Sequence, residues 1–219
     1  MSVGMILLTV TAILVFFGVA QRVLDKMYLS DRAALLLIAL MFFGTLLPSI
    51  TIGRVVISLG GAVIPLGVCL YLLIRADTVW ERWRAVLGSM VTAGIVYAIS
   101  TLMPGEPEAI IAEPMYLYGI AGGAVAYLFG RSRRGAFFCG VVGVMLADTA
   151  VALINWNRGI KQPLVLGGAG VFDAAIIAGL LGVLLAELVG ELVERLVRGT
   201  EPPQETSVQH PVRRRRSSR

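Results

Sequence analysis

Two aspartates stand within apolar stretches of the chain, where ionisable residues are rare and energetically costly. Asp148 lies in GVMLADTAVAL, and Asp173 lies in GGAGVFDAAIIAGLL. Two carboxylates that meet in a medium of low dielectric constant repel each other and resist ionising together. Pairs of this kind serve proton relays, cation sites and acid–base hydrolysis of peptide bonds. The two residues therefore form the candidate functional site.

The positions of the two aspartates within their segments predict that they meet. The segment around Asp148 is expected to end near Asn155, and the next is expected to begin near Gly167. At a rise of about 1.5 Å per residue, both carboxyls then lie roughly 9–11 Å from the same end of two adjacent helices. The alternative is a structural role, in which either carboxyl caps a helix or bonds Thr149, Ser58 or a backbone group.

A glycine-rich stretch precedes the second aspartate. Gly167, Gly168 and Gly170 favour a helix entry whose backbone is unwound and exposes amide or carbonyl groups to a ligand. Together with Asp148 and Asp173, these glycines make up the predicted ligand-binding site.

The composition predicts that this site lies in a membrane. The 219-residue chain is 57% hydrophobic and only 15% charged, and its mean hydropathy is +0.83. Soluble proteins carry about 25% charged residues. We therefore expect an all-α fold, a polytopic bundle of transmembrane helices with the lipid bilayer as its solvent.

Seven segments approach the roughly 20 apolar residues that a spanning helix needs. They are Val3–Ala20, Ala33–Ile50, Val55–Ile74, Ala85–Met103, Pro114–Gly130, Ala136–Ile154 and Leu164–Val189.

The basic residues alternate between the two sides of these segments. Sixteen of the nineteen Lys and Arg residues fall in the first, third and fifth connections and in the tail. The exceptions are Arg54, Arg158 and Lys161, in connections on the other side. The positive-inside rule then predicts seven helices, with the N-terminus outside and the C-terminus in the cytoplasm.

The end of the chain differs in composition from the rest. Residues 199–219 are polar, contain prolines and include the run Arg213–Arg216. We predict a transmembrane bundle over residues 1–198 and a disordered basic cytoplasmic tail over residues 199–219. Such a tail is expected to contact anionic lipid headgroups rather than nucleic acid. A homo-oligomer is compatible with the sequence.

The sequence offers no cluster of metal ligands. Cys69 and Cys139 lie in separate apolar stretches, and the one histidine, His210, lies in the tail. Metal sites need several such residues at ligand spacing. We therefore predict neither a metal nor a cofactor.

A short internal repeat links two of the segments. LGGA at Leu59–Ala62 recurs at Leu166–Ala169, each time at a predicted helix entry. The repeat suggests two parallel three-helix units around a linking fourth helix, an arrangement that occurs in transporters.

Three stretches of the chain resemble a family of prokaryotic membrane proteins. They are QRVLDKMYLSDRAAL, GRSRRGAFFCGVVGVMLAD and GGAGVFDAAIIAG. The family is known as domain of unknown function 1614, and the resemblance covers most of residues 1–190. It implies a multi-pass protein of the bacterial inner membrane and no established activity.

The aspartates also resemble, more distantly, those of the presenilin and signal-peptide-peptidase class of intramembrane aspartyl proteases. That class places one Asp on one helix and a G-x-G-D motif on the next. Here Gly168-Ala169-Gly170 is followed by Val171 and Phe172 before Asp173, and the Pro-Ala-Leu element of the class is missing. The resemblance implies that Asp148 and Asp173 would be catalytic, one as the base for water and the other as the acid.

Three hypotheses for function follow. The first is a membrane protein that handles a small solute or ion, with Asp148 and Asp173 as its proton-coupled site. The second is an intramembrane aspartyl protease that uses the same pair, which is the one kind of enzyme that the residues favour. The third is a non-catalytic membrane scaffold or accessory subunit.

Overall fold

The computed structural model describes residues 31–102, 114–130, 132–170 and 173–198. The predicted first segment, Val3–Ala20, and the predicted tail, residues 199–219, lie outside these residues.

The described residues form six α-helices, one π-helical turn and three short strands. In order they are α1 (Asp31–Leu46), β1 (Ile50–Ile52), β2 (Val55–Ile57), the π-helical turn (Leu59–Val63), α2 (Ile64–Ile74), α3 (Val79–Leu102), α4 (Pro114–Gly130), α5 (Arg133–Asn157), β3 (Leu164–Leu166) and α6 (Ala174–Arg198). The fold is therefore mostly helical, as predicted, although it is not wholly helical.

Three helices are long and apolar enough to cross a membrane, namely α3, α5 and the Ala174–Val193 part of α6. With 24 and 25 residues, α3 and α5 are about 36–38 Å long, more than the roughly 30 Å of a bilayer's hydrocarbon core. Two further apolar helices, Leu59–Ile74 and Leu117–Gly130, are shorter. These lengths and compositions are those of a membrane protein.

Small residues fill the interior of the bundle, and large apolar residues cover its outside. A side chain at Gly140 would overlap the backbone of Ala178 and Gly179, so α5 and α6 pack backbone to backbone. Leu87 and Met90 of α3 are instead exposed. This distribution suits a bilayer, where close approach of small residues drives helix association and apolar surface faces lipid.

The helix contacts fix the directions of the helices. Gly88 faces Cys139 and Gly143 faces Thr92, so α3 and α5 run parallel. Gly130 at the end of α4 faces Ala136 near the start of α5, so these two helices run antiparallel.

Gly182 of α6 also faces Ala136, so α6 runs antiparallel to α5. The helices α3 to α6 therefore alternate in direction and define two ends. The basic end holds the start of α3, the end of α4 and the start of α5, and it carries Arg75, Arg82, Arg84, Arg133 and Arg134. The strand end holds the three strands and the start of α6.

Two of the predicted helices begin later than the sequence suggests. Val55–Ile57 forms β2 and Leu164–Leu166 forms β3, and the two strands pair in parallel with Ile57 opposite Leu166. β2 also pairs antiparallel with β1, which contains the predicted helical residue Ile50. The prediction of helix was therefore wrong for these residues, because β-branched side chains favour strands once a partner strand is present.

The two LGGA stretches lie side by side at the strand end. The first follows β2 and forms most of the π-helical turn that leads into α2. The second begins with Leu166, the last residue of β3, and precedes α6. Gly61 and Gly167 contact each other so closely that a Cβ on either would overlap the backbone of the other. The strand pairing is two residues out of the register that aligning the two copies would give, since Ile57 rather than Leu59 pairs with Leu166.

Candidate functional site

Asp148 lies on α5, nine residues before the helix ends at Asn157. It is therefore about 14 Å from that end, deeper than the sequence predicted, because the helix continues past Asn155. Its side chain is half-buried.

Asp173 does not lie within a helix, and in this respect the sequence-based prediction was wrong. It immediately precedes α6, and its Oδ1 accepts a hydrogen bond of 3.1 Å from the N–H of Ala175. Its backbone carbonyl accepts from the N–H groups of Ile176 and Ile177. Asp173 therefore caps α6 in the way that Asp commonly caps helices, and this part of the structural alternative is confirmed.

The structure brings the two aspartates together. The carboxyls of Asp148 and Asp173 interact electrostatically, and both are half-buried near the strand end. The salt bridges formed among the described residues join Arg133 to Glu187 and Arg134 to Asp77, both at the basic end. Within the described part of the chain, neither aspartate of the pair has a cationic partner.

The polar neighbours that the sequence suggested as alternative partners are engaged elsewhere. The Thr149 hydroxyl donates to the Met145 carbonyl over 2.8 Å, which is a bond within α5. The Ser58 hydroxyl accepts from the Gly61 N–H and caps the π-helical turn. Neither side chain bonds Asp148 or Asp173.

The glycine-rich stretch is non-helical, as predicted. Gly167 and Gly170 have φ angles of 69° and 62°, a region that favours glycine, and the Gly170 N–H donates to the Gly167 carbonyl over 2.9 Å. Both glycines are buried, Gly167 against Gly61 and Gly170 against Thr45. Gly168 is exposed. Packing thus explains the two buried glycines, and the binding of a ligand by all three stays a prediction.

Tyr118 of α4 is a member of the site that the sequence did not single out. It is half-buried, and its hydroxyl interacts electrostatically with Asp148. A tyrosine in an apolar helix is ordinary, so its residue type gave no signal. Its place near the start of a correctly bounded helix, Pro114–Gly130, was the available clue.

The basic end is held by polar contacts that have a structural explanation. Arg84 donates to the Gly130 carbonyl over 2.8 Å, and the Ser132 hydroxyl donates to Glu81 over 2.7 Å. Glu187 is half-buried and paired with Arg133. These contacts join the α2–α3, α4–α5 and α6 regions and leave the acidic pair as the candidate site.

The described residues contain no group of three or more His, Cys, Asp or Glu side chains that could hold a metal ion. Cys69 and Cys139 are both buried and unoxidised.

Comparison with known proteins identifies a family. No curated protein and no solved structure matches the chain. A family model described as Protein of unknown function (DUF1614) matches residues 23–185, well over half of the sequence. The match includes both Asp148 and Asp173. The more distant likeness to presenilin-type proteases has no support in these comparisons. The chain therefore belongs to the DUF1614 family.

Proposed function

We propose that this protein moves a small solute or ion across the membrane and couples the movement to proton binding at Asp148 and Asp173. The observation that carries the proposal is the electrostatic interaction between two half-buried carboxyls near one end of a membrane bundle. Ionisable residues at such depth mark ion and proton pathways. Because no Lys or Arg of the described residues pairs with them, a proton or a cation is left to neutralise the site.

The two helix starts at the strand end favour transport. The π-helical turn and α6 both begin at the strand end, each after one strand of the parallel pair. Their first turns are capped by Ser58 and Asp173. Transporters commonly place the N-terminal ends of helices at their binding sites.

The proposal includes an orientation. Seven helices with the N-terminus outside and the C-terminus in the cytoplasm would put the basic end in the cytoplasm and the acidic pair nearer the outside. The alternating directions of the described helices and the arginines gathered at one end agree with this topology. The cytoplasmic membrane of a prokaryote is the proposed location.

Proton movement in liposomes tests the proposal. The full chain is reconstituted with a trapped pH-sensitive dye, and sugars, amino acids and monovalent cations are added in turn. We expect one class of probe to move protons in the parent protein, and both Asp148→Asn and Asp173→Asn to abolish the signal.

Asp77→Asn is the matched control, because Asp77 is exposed and pairs with Arg134 at the opposite end. It should leave the signal intact. The proposal fails if no probe moves protons in the parent, or if both folded variants keep the parent's signal. Parent-like variants together with a stably co-purifying protein would indicate the scaffold hypothesis instead.

A second candidate is hydrolysis of a transmembrane peptide by the same pair. The observation that favours it is that β3 is an edge strand of the sheet and lies one loop before Asp173, since an extended substrate can add to a free strand edge. Detergent-solubilised protein should then cleave a transmembrane peptide, with the activity lost in both Asp→Asn variants and blocked by a transition-state aspartyl inhibitor. A broad peptide panel left uncut would contradict it.

A further inference from the structure

Four helices converge at Gly122. A Cβ added there would lie 3.1 Å from the side chain of Ala178, 3.1 Å from that of Val144 and 3.5 Å from that of Val96. These neighbours belong to α6, α5 and α3, and Gly122 belongs to α4, so these four helices meet at one level. Every group at this level is small or apolar.

The next turn toward the strand end is polar. Residues four positions apart share a helix face, so one turn along from Val96, Gly122 and Val144 come Ser100, Tyr118 and Asp148. On α6 the same step from Ala178 reaches Ala174, which directly follows Asp173.

A separate contact supports this layer. A Cβ on Gly119 would lie 3.5 Å from the carbonyl oxygen of Ala174, which places the first turn of α6 level with the turn that holds Tyr118. Tyr118 thus projects from the same level as both carboxyls.

The Tyr118 hydroxyl is able to make further hydrogen bonds. It packs against the apolar core and is half-buried, and its hydroxyl interacts with Asp148 without a direct hydrogen bond to any described residue. The other hydroxyl of the layer, Ser100, donates to the Tyr97 carbonyl over 2.7 Å. A phenol can donate and accept at once, so Tyr118 is suited to bridge through water.

We propose that Tyr118 is a positioning residue of the Asp148–Asp173 site, whose hydroxyl holds the Asp148 carboxyl through one bridging water. The bond would fix the direction in which Asp148 presents its proton to Asp173. This inference rests on the proposed function for its purpose, because an oriented carboxyl matters where the pair exchanges protons.

Infrared spectroscopy of the full chain in liposomes tests it, with Tyr118→Phe as the variant and Tyr127→Phe as the control. Tyr127 is also half-buried on α4 but lies near the basic end. As pH is lowered, the parent should show a carboxylic C=O band that Asp148→Asn removes. Tyr118→Phe should keep the band and move it to higher frequency, because the hydrogen bond is lost. Tyr127→Phe should leave it in place.

Proton flux gives a second measurement. Losing a hydrogen bond to a charged group costs enough free energy that Tyr118→Phe should slow the proton flux about tenfold. Tyr127→Phe should leave the flux unchanged. An unshifted band in Tyr118→Phe, while Asp148→Asn removes it, overturns the role of Tyr118 and leaves the proposed function standing. A band that Asp148→Asn does not remove overturns the proposed function itself.

A reverse experiment covers the case in which Tyr118→Phe does not fold. With ring-labelled tyrosine, Asp148→Asn should shift the phenolic C–O band of one of the six tyrosines. No shift in any tyrosine band overturns the inference.

Discussion

At the scale of single residues, the tightest point of the fold is where Gly61 meets Gly167. The two glycines come from the two LGGA stretches, and each leaves no room for a Cβ on the other. Gly167 also has a φ of 69°. The contact joins the two helix entries beside the acidic pair.

Gly61→Ala should therefore destabilise the protein, by about 1–3 kcal/mol, because the methyl group meets backbone that cannot move aside. Thermal unfolding in detergent measures the change. Gly67→Ala is the control, since nothing lies within 4 Å of a Cβ at Gly67 and Ala is the better helix former. A Gly61→Ala variant as stable as Gly67→Ala would contradict the packing described.

The sequence revealed some members of the site and hid others. Asp148 and Asp173 are visible because charges are rare in apolar segments. The helix-capping role of Asp173 is not visible, because it depends on where α6 begins, and hydropathy does not locate that start. Tyr118 is hidden for a different reason, since only the level of the helix crossing at Gly122 brings it to Asp148.

At the scale of elements, the sequence located α4 correctly and misread β2 and β3 as helix. Pro114–Gly130 is bounded as predicted. The strands β2 and β3 have three residues each, too few for a period-of-two pattern to separate them from the apolar helices that follow. α3 begins at Val79, before the predicted Ala85. The prediction began too late because the first turns of this helix carry charged residues, which a hydropathy window rejects.

The parallel strand pair can be tested by cross-linking. In a chain with Cys69→Ala and Cys139→Ala, we expect the pair Val56→Cys and Val165→Cys to form a disulfide on mild oxidation, since these residues are register partners. Adjacent strands are about 4.8 Å apart, within disulfide range. The measurement is the shift in gel mobility after proteolysis between the two sites.

Thr51→Cys with Val165→Cys is the matched control. Thr51 lies on β1 and pairs with Val56 of β2, so β2 stands between Thr51 and Val165 of β3. Two strand spacings, about 10 Å, therefore separate the two residues. Equal cross-linking of the two pairs would rule out the strand order β1-β2-β3.

At the scale of the whole molecule, the two ends of the bundle differ in chemistry. At the basic end, arginine contacts join neighbouring helices, among them Arg84 with Gly130 and Arg133 with Glu187. The strand end holds the acidic pair and the starts of the π-helical turn and α6. The sequence predicted that the basic residues of the third and fifth connections share one side, and the described arginines of these connections do lie at one end of the bundle.

Cysteine labelling tests the proposed orientation. In the cysteine-free chain, Thr78→Cys places a thiol in the exposed connection before α3 at the basic end, and Asn157→Cys places one at the exposed last residue of α5 at the strand end. A membrane-impermeant maleimide should label Asn157→Cys in intact cells and Thr78→Cys only after the membrane is opened. The reverse pattern would invert the orientation, and labelling of both in intact cells would contradict a spanning bundle.

The central claim is that Asp148 and Asp173 act as one coupled pair, and a thermodynamic cycle tests it most directly. The free energy of unfolding is measured for the parent, Asp148→Asn, Asp173→Asn and the double variant, at alkaline pH, where repulsion between the carboxylates is greatest. Asn caps helices about as well as Asp, so Asp173→Asn keeps the cap on α6. We predict that each single change stabilises the protein and that the double variant gains little more, a departure from additivity of more than about 0.5 kcal/mol. Changes that simply add would show that the two carboxyls do not interact and would contradict the account.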